Sequence, residues 1–226
     1  MKKLLIALFA AGALALPALA AAPYYVAGDF NGWNAAGNLM AETSTGSGIW
    51  QVSLSSIGAG RHEFKVTDGT WSWNYPGANS WLYADASGNI TISFDANTYA
   101  DGWSSTSQRI GLSVDPGNWT AAGDFQGWNN AAGNMTALGG GIYRCQVTTP
   151  GTWNWKAVVT GTWDSISLDN RSVGTANWQF TVGPGETASL YVNAFAGTAM
   201  VVVPEPSTLA ILGAGLTGLF CLRRRQ

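Results

Sequence analysis

Val26 to Asn34 reads VAGDFNGWN, and Ala121 to Asn129 reads AAGDFQGWN. Seven of the nine positions are identical, so one segment occurs twice at a period near 95 residues. That period is too long for a solenoid repeat and right for a domain. The match continues along the chain in order. GIWQVSL (48–54) answers GIYRCQV (141–147), and GRHEFKV (60–66) answers GTWNWKA (151–157). GTW recurs at 69–71 and 161–163, NSWLY (79–83) answers ANWQF (176–180), and ITISFDA (90–96) answers ASLYVNA (188–194). The body of the chain is therefore a duplication that needs only small insertions to align.

Each copy reads as strands. IWQVSL, HEFKV and ITISF alternate apolar and polar residues, and clusters of Gly, Asn, Asp, Ser and Pro separate them. No segment between residues 23 and 202 has a sustained helical period with caps. The alternation predicts an all-β protein of two tandem β-sandwich modules, residues 23–103 and 119–202, with residues 104–118 as a polar linker. Trp50 alternates with Val52 and Leu54, so it and its counterpart Tyr143 are expected in the cores, as are Phe30 and Phe125.

The two ends are not part of this fold. Residues 1–22 read MKKLLIALFAAGALALPALAAA: Lys2 and Lys3, an apolar run from Leu4 to Leu16, then small residues around Ala18 and Ala20. This is the pattern of a secretory signal peptide, with an uncleaved anchor helix as the alternative. Residues 203–226 place Pro204-Glu205-Pro206 before a short apolar run, Leu209 to Leu222, which ends at Arg223, Arg224 and Arg225. The run is shorter than the ~20 residues of a full span, and the arginines would stay on the cytoplasmic side. This tail resembles the PEP-CTERM sorting signal. The resemblance implies a short hydrophobic helix, transient insertion in the inner membrane and recognition by an exosortase. It further implies display on, or release from, the surface of a Gram-negative cell, after signal peptidase has acted. A permanent single-span anchor is the alternative.

Between the two ends remain six basic and twelve acidic side chains, a net charge near −6. Such a body cannot neutralise a phosphate backbone, so no nucleic-acid partner is expected. Cys145 lies in a strand-like run and Cys221 in the tail, so the pair is no framework disulfide, and Cys145 is expected to be a small buried residue.

The twelve tryptophans exceed what two small cores need. Trp33 and Trp128 follow an Asn/Gln-Gly turn, and Trp71 and Trp163 follow Gly-Thr. A tryptophan on a polar rim invites a ligand, and an indole face suits the apolar face of a pyranose ring. The order GDFNGW, HEFKV, DGTW, NSWLY in the first copy, and GDFQGW, NWKAV, TGTW, NWQF in the second, resembles the glycogen- and starch-binding modules of the immunoglobulin-like early-set type. Those modules occur in the β subunit of AMP-activated protein kinase, in branching enzymes and in bacterial pullulanases. The resemblance implies two immunoglobulin-like sandwiches and an α-glucan or other polysaccharide partner. It also implies a platform of two tryptophans with a lysine and an asparagine bonding sugar hydroxyls. By position these roles fall on Trp33, Lys65, Trp71 and Asn79, with Trp73 beside them, and on Trp128, Lys156, Trp163 and Asn177. The second copy departs from the pattern. Where the first has WSWNYPG (71–77), it has WDSISLDN (163–170), which puts equal binding by the two copies in doubt.

No catalytic chemistry is legible. One histidine, His62, cannot build a metal site or a triad alone. Asp29 and Asp124 recur in the two copies, but a glycosidase needs two facing carboxyls in one site, and an Asp beside Gly28 or Gly123 reads as a turn former. No cofactor and no metal is expected. The competing readings are a matrix or biofilm spacer with no glycan site, and an accessory subunit whose tryptophans dock an enzyme.

Overall fold

The computed structural model describes residues 23–104, 106–168, 170–173 and 176–204. The expected signal peptide (1–22), the apolar helix of the tail, and Glu205 and Pro206 of the sorting motif lie outside the described residues.

The strands of the first half are β1 (Tyr25–Gly28), β2 (Ala41–Glu42), β3 (Ile49–Leu54), β4 (Gly60–Thr67), β5 (Asn74–Ala84), β6 (Ile90–Thr98) and β7 (Ser107–Leu112). The second half supplies β8 (Trp119–Gly123), β9 (Thr136–Gly139), β10 (Ile142–Val147), β11 (Gly151–Val159) and β12 (Ser165–Ser167). It continues with β13 (Asn170–Ser172), β14 (Trp178–Val182), β15 (Ala188–Asn193) and β16 (Thr198–Val202). Strands take up 52 % of the described residues, and no α-helix occurs among them, so the fold is all-β.

The architecture corrects the expectation of two tandem immunoglobulin-like sandwiches. Four separate sheets form instead, in the orders β1-β4-β5, β2-β3-β6-β7, β13-β12-β11-β14 with β8 on the other edge of β11, and β16-β15-β10-β9. They are set as the blades of a four-bladed, β-propeller-like ring. The physical reason lies in the outer face of β4 and β5. Period-2 alternation identifies the face turned to a core but not what covers the other face. Here β5 reads buried on both faces: Leu82 joins Phe64, Ile92 and Phe94 in one apolar cluster, while its neighbour Trp81 joins Trp119, Trp155 and Leu190 in the other. Trp81 is fully buried inside a cluster built otherwise by the second half, with Tyr83 packed against it.

The expected linker is also corrected. Residues 107–112 form β7, which pairs with β6 through Phe94↔Ile110 and Ile92↔Leu112. Its polar start, Ser104 to Gln108, suggested a tether, but Ile110 and Leu112 are both core residues.

Polar contacts close the seam between the halves. Arg61 donates through Nε and Nη2 to the two carboxylate oxygens of Asp164, both at 2.7 Å, and the Tyr83 hydroxyl donates to Asp164 Oδ2 at 2.7 Å. Trp81 Nε1 donates to the Ser165 carbonyl at 3.0 Å, and Ser80 Oγ to that of Arg171 at 2.5 Å. The Arg171 guanidinium lies over the Trp81 ring, 4.6 Å from its centroid. Trp50 and Phe30 pack on the first cluster, and Tyr143, Phe125 and the buried Cys145 belong to the second.

Because an indole encoded in the first half is buried in the core of the second, Trp81→Ala is expected to cost about 3–5 kcal/mol, the range for deleting a buried aromatic side chain. Calorimetry on the wild type should give a single unfolding transition, and the variant should resolve into two. A variant that still melts in one step at the wild-type temperature would show that the seam carries no stability.

Candidate functional site

In the first half, GDFNGW builds a turn in which Asp29 to Asn31 form one 3-10 turn, capped by Gly32 at φ 64°. Trp33 N donates to the Gly28 carbonyl at 2.8 Å, and Trp33 itself sits at φ 60°. Asp29 ties this turn to β4, accepting from Glu63 N at 3.0 Å and meeting His62 Nδ1 at 2.7 Å. Gly28 is needed because a Cβ there would lie 2.5 Å from the Phe30 ring and 2.7 Å from the Glu63 carbonyl. The GTW hairpin is organised by Asp68, whose carboxylate accepts from Thr70 N at 2.9 Å and Trp73 N at 3.0 Å. These bonds, the one from Thr70 N first, hold the Asp68 carboxyl below its usual range. Trp71, at the tip, has φ 67°.

Two bulky residues in the left-handed region are thus presented together. Such conformations cost on the order of 1–3 kcal/mol each and gather at functional sites. The two rings lie 6.3 Å apart, centroid to centroid, with their planes at 39°. Trp33, Lys65, Trp71 and Asn79 line one open cleft of about 390 Å³. The four residues singled out in the first copy are therefore brought together. Trp73 is not: it packs against Tyr24 and Phe94, at 5.4 and 5.9 Å, as part of the wall of the first cluster.

The polar groups of the cleft differ from the expected pattern. An ammonium group has three donors, and Lys65 directs all three into its own hairpin: Asn74 Oδ1 at 2.9 Å, the Pro76 carbonyl at 2.8 Å and the Gly77 carbonyl at 2.6 Å. Partial burial lowers its pKa. Lys65 shapes the cleft wall, and its donors are already engaged. Asn79 Nδ2 donates to Glu63 Oε2 at 2.7 Å, so Asn79 and Glu63 form a pair at the cleft with acceptor capacity remaining. Sequence reasoning missed Glu63. The signal was available, since Glu63 lies two residues before Lys65 in a strand and so shares its face.

The second half repeats part of this. Asp124 to Gln126 form the same turn, Gly127 caps it at φ 69°, and Trp128 follows at φ 57°. Asp124 accepts from Asn154 N at 2.9 Å and from Trp128 Nε1 at 2.8 Å, which lowers its pKa, the Asn154 N–H contributing most. The remaining groups are not assembled in the same way. Trp163 is 53 % exposed and outside the left-handed region, and among the described residues no ring contact joins it to Trp128. Lys156 is buried, at 8 % exposure. Asn177 keeps a buried Oδ1 with no hydrogen-bond partner in the protein. The cause is the segment that replaces WSWNYPG: Ser165–Ser167 and Asn170–Ser172 form β12 and β13, whose side chains are buried at the seam.

Comparison with known proteins adds the following. Residues 202–225 match the family model of the PEP-CTERM protein-sorting motif, so the chain is an exported protein whose C-terminus carries that motif, and the motif implies handling by an exosortase. No curated protein matches the chain. Among solved structures, the chain is similar to SusF from Bacteroides thetaiotaomicron at 16 % identity and a TM-score of 0.33, over 84 % of this chain and 50 % of that one. It thus spans about half the length of that protein.

Two substitutions separate the hairpin's architecture from its display. Lys65→Met removes three charge-assisted bonds and is expected to lower stability by about 1–3 kcal/mol in a urea titration. Trp71→Gly relieves a left-handed residue, at a ring that is 38 % exposed, and is expected to melt at or above the wild-type temperature. A large drop in melting temperature for Trp71→Gly would make that ring structural.

Proposed function

We propose that this exported protein is a non-catalytic carbohydrate-binding protein, and that the Trp33–Trp71 cleft of its first half receives an α-glucan. The observation that carries this reading is the convergence of four separately encoded residues on one cleft, with both tryptophans held in left-handed backbone conformations. Strained conformations gather where they are used, and here they hold one exposed and one half-buried indole side by side. Their planes are splayed by 39° rather than coplanar. A splayed pair suits a curved chain, in which successive pyranose rings turn relative to one another, as α-1,4 linkages require. Stacking supplies the attraction, and the Asn79–Glu63 pair orients the hydroxyls.

One observation favours the competing reading of a matrix spacer without a glycan site: the three donors of Lys65 are already engaged within the hairpin. A ligand would have to bind without them or compete for them. The second half, with Lys156 buried and Trp163 unpaired with Trp128, is expected to bind weakly or not at all.

Affinity electrophoresis tests both readings. The exported chain should be retarded in gels containing glycogen, amylopectin or pullulan and run freely in dextran. Trp33→Ala with Trp71→Ala should abolish the retardation while leaving the fold intact by circular dichroism. Free migration of the wild type in all four gels would reject the α-glucan and leave the spacer reading.

A further inference from the structure

A second opening lies at the seam, and its lining comes from both halves and the segment between them. It is a groove of about 560 Å³, with Tyr75 from β5, Trp103 and Ser104 from the connecting segment, Gln108 from β7, and Leu168 and Trp178 from the second half. Its size falls within the range of ligand sites. No side chain that lines it is charged, three are aromatic, and the rest are mostly hydroxyls and an amide. Leu168 is 49 % exposed at its margin. Gln108 sits at φ 57°, the left-handed region again, and its carbonyl accepts from Asn170 Nδ2 across the seam at 3.0 Å. An uncharged wall of rings, hydroxyls and amide suits a neutral polyhydroxylated ligand and offers nothing to a phosphate or an acidic peptide.

The groove and the cleft share one segment of β5. Lys65 clamps the 74–77 segment of β5 on the cleft side through Asn74, Pro76 and Gly77, while Tyr75 of the same segment lines the groove. Tyr75 and Asn79, one at each opening, are four residues apart across the bulge in β5, so their Cα atoms lie at most about 14 Å apart. One oligosaccharide chain can span that distance.

We propose that the seam groove is a second carbohydrate subsite, which holds the continuation of the glycan chain bound at Trp33 and Trp71. The inference rests on the glycan reading of the cleft. It assigns the second half a role that its own copy of the motif does not fill: it completes a longer site instead of carrying an equivalent one. Two linked subsites make affinity rise with ligand length until both are filled.

The test is calorimetric titration of the exported chain with maltotriose and maltoheptaose. The wild type should bind the heptasaccharide at least about tenfold more tightly than the trisaccharide, the gain from engaging a linked second subsite. Trp103→Ala should keep the trisaccharide affinity and lose that gain. Leu168→Glu, at an exposed position, should do the same and serves if Trp103→Ala does not fold. Unchanged heptasaccharide affinity in either folded variant would overturn the groove while leaving the cleft standing. Failure of the wild type to bind either sugar would overturn both.

Discussion

The arrangement of the molecule depends on where Trp81 is buried. It is encoded in β5 of the first half, yet its indole has no exposed surface and sits within the apolar cluster of the second. A tryptophan buries roughly 150–250 Å², worth about 4–6 kcal/mol at 25 cal/mol per Å². Its surroundings are specific: Tyr83 at 5.9 Å, Trp119 at 6.0 Å, and its Nε1 satisfied by the Ser165 carbonyl. Arg171 completes the contact. It is fully buried, donates to the Ala194 carbonyl, and lies over the indole face. Burial pulls its pKa down to about 9. A cation this far from water is costly, and the indole face is part of what offsets the cost.

Once Trp81 is committed to the second half, the outer face of β4 and β5 is divided. One end, with Arg61, Trp81 and Tyr83, becomes seam; the other, with Lys65 and Asn79, stays open as cleft. The two ends are joined by a line of contacts. Asp164 holds Arg61, Arg61 meets Glu63 at 2.9 Å, and Glu63 accepts from Asn79. The Asn79 carbonyl in turn accepts from Val173 N of the second half at 2.9 Å. The second half therefore braces a residue of the cleft that it does not itself line.

The sequence showed the recurring GDF-x-GW turn and the strands, because these are local signals. GDFNGW specifies its own turn through Asp29, Gly28 and Gly32, whatever the rest of the chain does. Trp33, Lys65, Trp71 and Asn79 were legible because their order along the chain resembles a known module. What could not be read was which face of a strand meets which partner. Alternation in NSWLYA marks a buried position at Leu82, but nothing in it says that Trp81 is equally buried on the other side. The linker failed for a related reason: Ser104 to Gln108 is polar, and the two apolar residues that make β7 a core strand, Ile110 and Leu112, are too few to announce it. Trp73 was grouped with the platform because it sits two residues from Trp71, although the hairpin turns it inward. The engaged state of Lys65 depends on carbonyls at 76 and 77, whose positions only the folded hairpin fixes.

The departures of the second copy then have one cause. In the first half, β5 runs unbroken past β4, pairing with it at Val66↔Tyr75 and again from Phe64↔Ser80 onward, with a bulge between. Lys65 lies opposite that bulge, where it can clamp the displaced hairpin. In the second half the corresponding strand is divided between β12 and β14, and the residues between them include β13, which packs on β5. A segment that packs against the first half cannot also stand free as a hairpin beside Trp128. The sequence WDSISLDN is what that role demands: Asp164 for Arg61, a Ser165 carbonyl for Trp81, and small side chains where the two halves meet most closely. The segment that corresponds to the first half's free hairpin is thus spent in the second half on the surface that supports the first.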